Sequence, residues 1–384
     1  MATVVRKFRD PGTSFFLFGP RGTGKTTWLR GQFPDALWVD LLRPEVQRSY
    51  EARPERLVEA LDGQPDARVV VIDEVQRAPG LLSVVHGLVE GPRELRFVLT
   101  GSSSRKLKRV GVDLLGGRAL YRTMHPFMAT ELGAAFDLGR ALEFGLIPLV
   151  WESARPAETL QAYIALYLRE EVQQEGLVRN MASFARFLEA ISFSHAAVTN
   201  LAHIARECEV SRKTVEGYLG ILEDLLIAFR VPVFTRRAKR AMSSHAKLYL
   251  CDAGVFRALR PTGPLDTLEE IGGQALEGLV AQHLRAWIAY QDRPFSLSFW
   301  RTRSGAEVDF VLYGPEEFWA IEVKHTKKVR SGDLRGLKSF LADYPEARGF
   351  LVYLGDERLG IDGITVLPAS EFLSALVPGE GLSL

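Results

Sequence analysis

The chain has 384 residues, 47% of them hydrophobic and 25% charged, and a formal net charge of +1. A chain of this length is too long to fold around one small hydrophobic core, so we expect two or three folded domains. Two cysteines, Cys208 and Cys251, are too few for a disulfide framework. The start of the chain lacks the apolar stretch of a secretory signal, and no apolar run is long enough to span a membrane. We therefore expect a cytoplasmic protein.

Residues 1–155 alternate short apolar runs with helical patterns such as Pro54–Leu61 and Leu81–Val89. The central apolar runs are continuous, as in strands that are buried on both faces. This alternation predicts an α/β domain with a parallel sheet covered by helices. The expected strands are Ser14–Phe18, Leu37–Leu41, Val69–Ile72, Arg96–Leu99 and Ala119–Arg122.

A glycine-rich segment follows the first predicted strand and precedes a helical pattern. It matches the phosphate-binding pattern G-x-x-x-x-G-K-[ST] and predicts binding of ATP as its Mg²⁺ complex. Lys25 is expected to reach the β- and γ-phosphates, and the Thr26 hydroxyl to bind Mg²⁺. The predicted nucleotide-binding residues are Gly19, Pro20, Arg21, Gly22, Thr23, Gly24, Lys25, Thr26 and Thr27.

The third predicted strand ends in two carboxylates, Asp73 and Glu74. Asp73 is positioned to hold the metal through water, and Glu74 to act as general base toward the attacking water. An acidic strand-to-helix turn would give the same pair. Its position roughly 50 residues after the phosphate loop favours ATP hydrolysis over binding alone.

Three further residues are candidates for sensing the nucleotide. Thr100 and Ser102 follow the next strand, whose carboxyl end should face the nucleotide. A serine-rich loop without this role is the alternative. Arg118 precedes the fifth strand and is a candidate arginine finger for a neighbouring subunit, or a structural arginine.

Helical periodicity replaces strands after residue 156. Asn200–Arg206 and Ser211–Leu219 have the pattern of a helix-turn-helix, with Ser211 as N-cap. Leu226–Phe234 and Lys247–Leu250 are candidate strands of a wing. This arrangement either binds DNA or packs against other domains. The candidate DNA contacts are Arg212, Lys213, Arg236, Arg237, Lys239 and Arg240.

Carboxylates recur in the last third of the chain. Phe299–Leu312 and Phe318–Lys324 are expected to form a hairpin, with Glu307 and Asp309 on one face of the first strand. Glu322 and Lys324 share a face of the second strand. Buried charges are costly unless they coordinate or pair, so two carboxylates that hold a divalent metal beside Lys324 are predicted. An exposed hairpin with ion pairs is the alternative.

These motifs resemble the bacterial and archaeal AAA-type ATPases in which the ATPase domain precedes a winged helix and a PD-(D/E)xK nuclease-like domain of uncertain role. The resemblance rests on Gly19–Thr26, on Asp73 to Gln76, on Leu99 to Ser102 and on the C-terminal carboxylates. It implies segments 1–155, 156–260 and 261–384 with these three folds, the last resembling a restriction endonuclease. It also implies that Glu277, on a predicted helix Gly273–Tyr290, joins Asp309, Glu322 and Lys324 around a metal. Val308 replaces the proline of the strict motif.

Two hypotheses follow for function. The first is an ATPase, with catalytic Glu74 and Lys25, that couples its nucleotide state to nucleic-acid binding and metal-dependent DNA cleavage through Lys324. The second is a nucleotide-driven switch whose nuclease-like domain binds a partner or nucleic acid without cutting. A small-molecule kinase would not need the later segments. A homo-oligomer is compatible with either hypothesis.

Overall fold

The computed structural model describes residues 4–101, 115–168, 178, 180–238, 242 and 245–382. The chain folds into two compact units. The N-terminal unit contains Phe8–His125 and Asp224–Leu226, and the C-terminal unit contains the residues up to Lys7, Pro126–Glu223 and the chain from Ile227 onward. The division at residues 155 and 260 stays a prediction.

The N-terminal unit contains a five-stranded sheet in the order β2-β3-β4-β1-β5. Every neighbouring pair is parallel, which confirms the predicted parallel α/β sheet. All four residues of β1 are buried, as expected for a strand covered on both faces. The strands are β1 (Phe15–Phe18), β2 (Leu37–Asp40), β3 (Val69–Asp73), β4 (Arg96–Gly101) and β5 (Leu120–Thr123).

Four helices connect these strands in the described part of the unit. Alternate residues of β3 and β4, such as Val70 and Phe97, form a core with apolar residues of two of the helices, such as Leu57 and Leu81. A short 3-10 turn, Val75–Arg77, follows β3 directly. The helices are α1 (Lys25–Gln32), α2 (Pro44–Ala52), α3 (Arg56–Asp62) and α4 (Leu81–Val89).

The C-terminal unit begins with helices and a small sheet. The strands β6 (Ala197–Val198), β7 (Ala228–Val231) and β8 (Lys247–Leu250) form an antiparallel sheet with β8 in the centre. β7 is shorter than the predicted strand Leu226–Phe234. The helices are α5 (Ala129–Leu132), α6 (Leu138–Phe144), α7 (Pro148–Trp151), α8 (Pro156–Ala162), a π-helical turn (Tyr163–Leu168), α9 (Met181–Ser192), α10 (Leu201–Glu207), α11 (Arg212–Asp224) and α12 (Ala253–Leu259).

A six-stranded mixed sheet in the order β13-β14-β12-β11-β10-β9 completes this unit. Two buried aromatic residues, Trp300 and Phe340, lie in the core between the sheet and a helix. The strands are β9 (Ser296–Arg301), β10 (Glu307–Tyr313), β11 (Phe318–Lys324), β12 (Arg348–Tyr353), β13 (Leu359–Ile361) and β14 (Ile364–Pro368). The helices are α13 (Leu268–Ala289), α14 (Arg335–Asp343) and α15 (Ala369–Ala375).

Two predicted elements in this region have the wrong bounds. The single strand Phe299–Leu312 is two antiparallel strands, because the chain reverses between Arg301 and Glu307 with Gly305 at a φ of 93°. The predicted helix Gly273–Tyr290 begins earlier, at Leu268, because the Thr267 hydroxyl caps it by accepting the Glu270 N–H at 3.2 Å.

The two cysteines are buried free thiols. His195 is fully buried, and burial lowers its pKa to about 3, so the ring is neutral. It stacks on Phe256 at 4.2 Å between ring centres and accepts the Leu250 N–H at 3.0 Å. Of the helices described, none has both the length and the apolar character needed to cross a membrane.

Candidate nucleotide site

The glycine-rich loop connects the end of β1 to the start of α1. Gly22 and Gly24 have φ values of 77° and 86°, in the left-handed region that favours glycine. A Cβ atom at Gly19 would lie 2.4 Å from the backbone oxygen of Met124. This close approach leaves room for glycine alone at position 19, so the sequence pattern and the loop shape agree.

Lys25 lies at the first position of α1, and its ammonium group is held inside the loop. Its side chain is buried, and Nζ donates to the carbonyl oxygens of Gly19 at 2.7 Å and Pro20 at 3.2 Å. The Thr23 hydroxyl also donates to the Pro20 carbonyl, at 2.8 Å. The positive charge therefore lies where the loop backbone can surround phosphate oxygens.

Thr26 and Asp73 meet at the carboxyl edge of the sheet. The Thr26 hydroxyl donates to one Asp73 carboxylate oxygen at 2.9 Å, and the Thr100 hydroxyl donates to the other. Asp73 is 1% exposed. β3 and β4 are parallel neighbours, so their carboxyl ends lie side by side and bring Asp73 and Thr100 together. The two oxygen-bearing side chains, Thr26 and Asp73, fit the hard-oxygen coordination that Mg²⁺ requires.

Glu74 follows β3 with an unusual backbone conformation. Its φ of 61° and ψ of 47° lie in the left-handed region, which is costly for a residue with a side chain. The Glu74 N–H donates to the Thr100 hydroxyl at 3.0 Å, and its carboxylate accepts from the Gln76 side-chain amide. Gln76 was assigned no role from the sequence. Its position two residues after Glu74 was the available signal that its amide could reach the Glu74 carboxylate.

The remaining predicted residues of this unit are less constrained. Arg21 and Thr27 are exposed at the loop and on α1. Arg118 pairs with Glu90 at the surface. Ser102 lies outside the described residues. The roles of Arg21, Thr27, Arg118 and Ser102 therefore stay predictions.

A second cluster of ionisable residues lies in the C-terminal unit. Asp309 on β10 is beside Glu322 on β11, because Phe310 pairs with Ile321 in the antiparallel register. One Asp309 oxygen accepts the Val323 N–H at 3.0 Å. Lys324 Nζ is 2.6 Å from Glu322 Oε1. The predicted hairpin residues are therefore close together.

Lys247, on β8, lies at the centre of this cluster and was missed by sequence reasoning. Its Nζ is 3.1 Å from Glu277 Oε1, 2.7 Å from Glu307 Oε1 and 3.0 Å from Asp309 Oδ1. The Tyr249 hydroxyl also donates to Glu277 Oε1, at 2.7 Å. The available signal was a lysine in a short strand of otherwise apolar and aromatic residues, where a buried charge needs partners.

Burial and mutual repulsion shift the protonation of the cluster. Burial and the nearby Asp309 charge together raise the pKa of Glu277 to about 7, against the opposing effect of Lys247. The same two causes raise the pKa of Glu322 to about 8. Burial lowers the pKa of Lys247, but attraction to Asp309, Glu277 and Glu307 outweighs burial and raises it overall. Lys247 is therefore charged at neutral pH.

This arrangement does not fit the divalent metal that the nuclease resemblance implies. In the part of the chain that the structure describes, no group of three or more His, Cys, Asp or Glu side chains is arranged to hold a metal ion. The Lys247 ammonium lies among the carboxylate oxygens of Glu277, Glu307 and Asp309. Glu322 Oε2 is buried and has no hydrogen-bond partner among the described residues.

The predicted DNA contacts lie on exposed parts of the C-terminal unit where the structure describes them. Arg212 and Lys213 are exposed in the first turn of α11, and Arg212 Nε is 2.9 Å from Glu216 Oε1. Arg236 lies over the Tyr313 ring at 4.7 Å. Arg237 is exposed. Lys239 and Arg240 lie outside the described residues.

Comparison with known proteins gives relatives along the whole chain. Two uncharacterized proteins, one of Mycobacterium bovis and one of Mycobacterium tuberculosis, are each 29% identical over 394 residues, which cover 100% of this chain and 86% of the relative. A crystal structure of Pif1 helicase from Candida albicans aligns with 39% of this chain and 43% of its own, at 16% identity and a TM-score of 0.20. Protein VC1899 from Vibrio cholerae aligns with 95% of this chain and 96% of its own, at 15% identity and a TM-score of 0.23. TM-scores of this size establish no shared fold.

Three family models match separate segments of the chain. Residues 136–266 match a domain of unknown function (DUF8612), and residues 272–372 match a second domain of unknown function (DUF4143). Residues 12–133 match the AAA domain, and they contain the glycine-rich loop, Asp73, Glu74 and Thr100. The N-terminal segment of this chain is therefore similar to AAA-type domains.

Proposed function

We propose that this protein is a magnesium-dependent ATP hydrolase. The observation that carries the proposal is the 2.9 Å hydrogen bond between the Thr26 hydroxyl and the Asp73 carboxylate. In P-loop enzymes the hydroxyl after the loop lysine and an acidic residue at a strand end hold Mg²⁺ together. Here the two groups already lie together, beside Lys25. The match of residues 12–133 to the AAA domain supports the same proposal.

The loop and α1 provide the binding energy for the triphosphate. Backbone N–H groups of a glycine-rich loop and of a helix N-terminus are oriented toward anions. Lys25 exchanges the Gly19 and Pro20 carbonyls for phosphate oxygens, which are stronger acceptors because they carry charge. Mg²⁺ held by Thr26 and Asp73 would neutralise charge that develops on the phosphate oxygens during hydrolysis.

Hydrolysis requires a base beside the γ-phosphate, and Glu74 is proposed for this role. The Gln76 amide holds the Glu74 carboxylate, and the Thr100 hydroxyl accepts the Glu74 N–H. Since Thr100 also donates to Asp73, one side chain fixes the metal-binding carboxylate and the backbone of the base together. A base fixed in this way can accept the proton of a water molecule as it attacks phosphorus.

Release of inorganic phosphate from ATP by the purified chain tests this proposal. We expect turnover in the presence of Mg²⁺. Turnover should stop when excess chelator removes the divalent metal, because the proposed reaction needs the Mg²⁺ that Thr26 and Asp73 hold. Restoring Mg²⁺ should restore turnover. Absence of both phosphate release and saturable binding of Mg-ATP in calorimetry would refute the proposal.

We also propose that the nucleotide state controls nucleic-acid binding by a winged helix in the C-terminal unit. The order α9-β6-α10-α11-β7-β8, with β6, β7 and β8 in one sheet, supports the winged-helix fold. Arg212 and Lys213 are exposed in the first turn of α11, where a helix of this type meets its target. A pocket of about 590 Å³ beside them is lined by further polar side chains, including Asn200, Arg230 and His245.

Fluorescence anisotropy with a labelled DNA duplex tests this second proposal. We expect Arg212→Ala/Lys213→Ala to weaken binding at low salt. The slope of log K against log salt should become less steep by about 2, because one counterion fewer is released for each lost phosphate contact. The matched control is Lys327→Ala/Lys328→Ala, which removes the same charge from another exposed site. Equal weakening by both double variants would indicate a general charge effect and contradict the proposed interface.

A further inference from the structure

A cation of the chain itself, the Lys247 ammonium, occupies the centre of a cluster of carboxylates in the C-terminal unit. Three carboxylate oxygens, from Glu277, Glu307 and Asp309, lie 2.7–3.1 Å from the Lys247 nitrogen. These oxygens come from a helix, α13, and a strand, β10. They are the groups that would otherwise face a divalent ion.

The distances exclude simultaneous occupation by an ammonium group and a metal. Mg²⁺ holds its oxygen ligands at about 2.1 Å and requires near-octahedral geometry. An ion bound to the same three oxygens would lie close to the Lys247 nitrogen, which is itself 2.7–3.1 Å from each of them. Two positive charges at that separation repel each other strongly in a buried site.

Lys247 is fixed by its surroundings from the backbone to the charged end. β8 is the central strand of its sheet, and Lys247 pairs with Val198 on one side and Val231 on the other. The side chain is 4% exposed, and Nζ lies 5.5 Å from the centre of the Phe299 ring. Withdrawal of the ammonium would take this counter-charge from Glu277 and Asp309 and leave Glu307 with Arg301 alone, whose Nε is 3.4 Å from Glu307 Oε2, which is strongly unfavourable.

We infer that the ammonium group of Lys247 takes the place of a divalent cation in this cluster, and that the C-terminal unit contains a latent metal site which Lys247 keeps closed. In the native chain the cluster binds β8 to α13 and β10, and it does not cut phosphodiester bonds through a bound metal. Glu322, whose Oε2 has no hydrogen-bond partner among the described residues, is a further ligand for an ion once Lys247 is removed.

The inference is tested by Mn²⁺ binding to the full chain, measured by electron paramagnetic resonance without nucleotide. Every protein carries Asp73→Asn, which removes a carboxylate of the nucleotide site. Lys247→Met keeps the length of the side chain but not its charge, so we expect this variant to bind about one additional Mn²⁺ per chain. Adding Asp309→Asn should abolish that ion. The chain with Lys247 should bind no such ion at the same Mn²⁺ concentration.

Lys324→Met is the matched control, because it removes the other ammonium of the cluster and leaves Lys247 in place. We expect it to bind no additional Mn²⁺. The inference is overturned if the chain with Lys247 binds an Mn²⁺ that Asp309→Asn abolishes, a comparison that does not require Lys247→Met to fold. It is equally overturned if Lys247→Met is folded by circular dichroism and binds no additional ion.

Discussion

Replacement of Lys25 by alanine is expected to abolish ATP binding at micromolar nucleotide. A hydrogen bond to a charged group contributes about 1.5–3 kcal/mol, and Lys25 is proposed to make such bonds to two phosphates. Since 1.4 kcal/mol changes an equilibrium constant tenfold, affinity should fall by about a hundredfold or more. Isothermal titration calorimetry with Mg-ATP measures the change.

The matched control for this variant is Lys338→Ala. Lys338 is half-exposed and pairs with Asp362 in the C-terminal unit, so its loss should leave ATP affinity unchanged. The Lys25 variant should remain folded, because the ammonium that it loses donates to the carbonyl oxygens of Gly19 and Pro20 in the loop itself. ATP affinity in folded Lys25→Ala within threefold of the native chain would contradict the assignment of the loop as the phosphate site.

Replacement of Glu74 by glutamine is expected to separate binding from hydrolysis. Glutamine has the shape of glutamate but cannot take a proton from water at neutral pH, so ATP affinity should be retained. Loss of a general base costs about 10²–10⁴ in rate. Phosphate release under saturating Mg-ATP measures the rate, and calorimetry measures the affinity.

Glu59→Gln is the control for the Glu74 variant. Glu59 forms an exposed ion pair with Arg53 in the same unit, at 2.6 Å. Glu59→Gln should therefore change neither the rate of hydrolysis nor the affinity for ATP. An unchanged rate in Glu74→Gln would remove Glu74 as the base. A loss of affinity as large as the loss of rate would instead assign Glu74 to nucleotide binding.

The nucleotide site was predictable from sequence because its parts are local. Residues from Gly19 to Thr26 occupy one loop and one helix start, and Asp73 and Glu74 follow a single apolar strand. Parallel strand order then brings Asp73 and Thr100 to one edge without further information. The left-handed backbone of Glu74 was not predictable, because it depends on the turn that follows β3 rather than on the residue type.

The second cluster was predictable only in part, because its parts are distant in sequence. Glu307, Asp309, Glu322 and Lys324 share two adjacent strands, and strand periodicity alone places them on common faces. Lys247 comes from another sheet, 30 residues before Glu277 and 62 before Asp309. No local pattern joins residues at those separations. A turn centred near Gly305 also divides the predicted strand Phe299–Leu312.

The ion cluster joins two segments of the C-terminal unit that separate family models match. Lys247 and Tyr249 belong to the segment matched by one family model, 136–266, whereas Glu277, Glu307 and Asp309 belong to the segment matched by the other, 272–372. A fragment that starts at residue 272 would contain the three carboxylates of the cluster without the Lys247 ammonium. The border between the two family models therefore separates residues that the structure brings into one ion cluster.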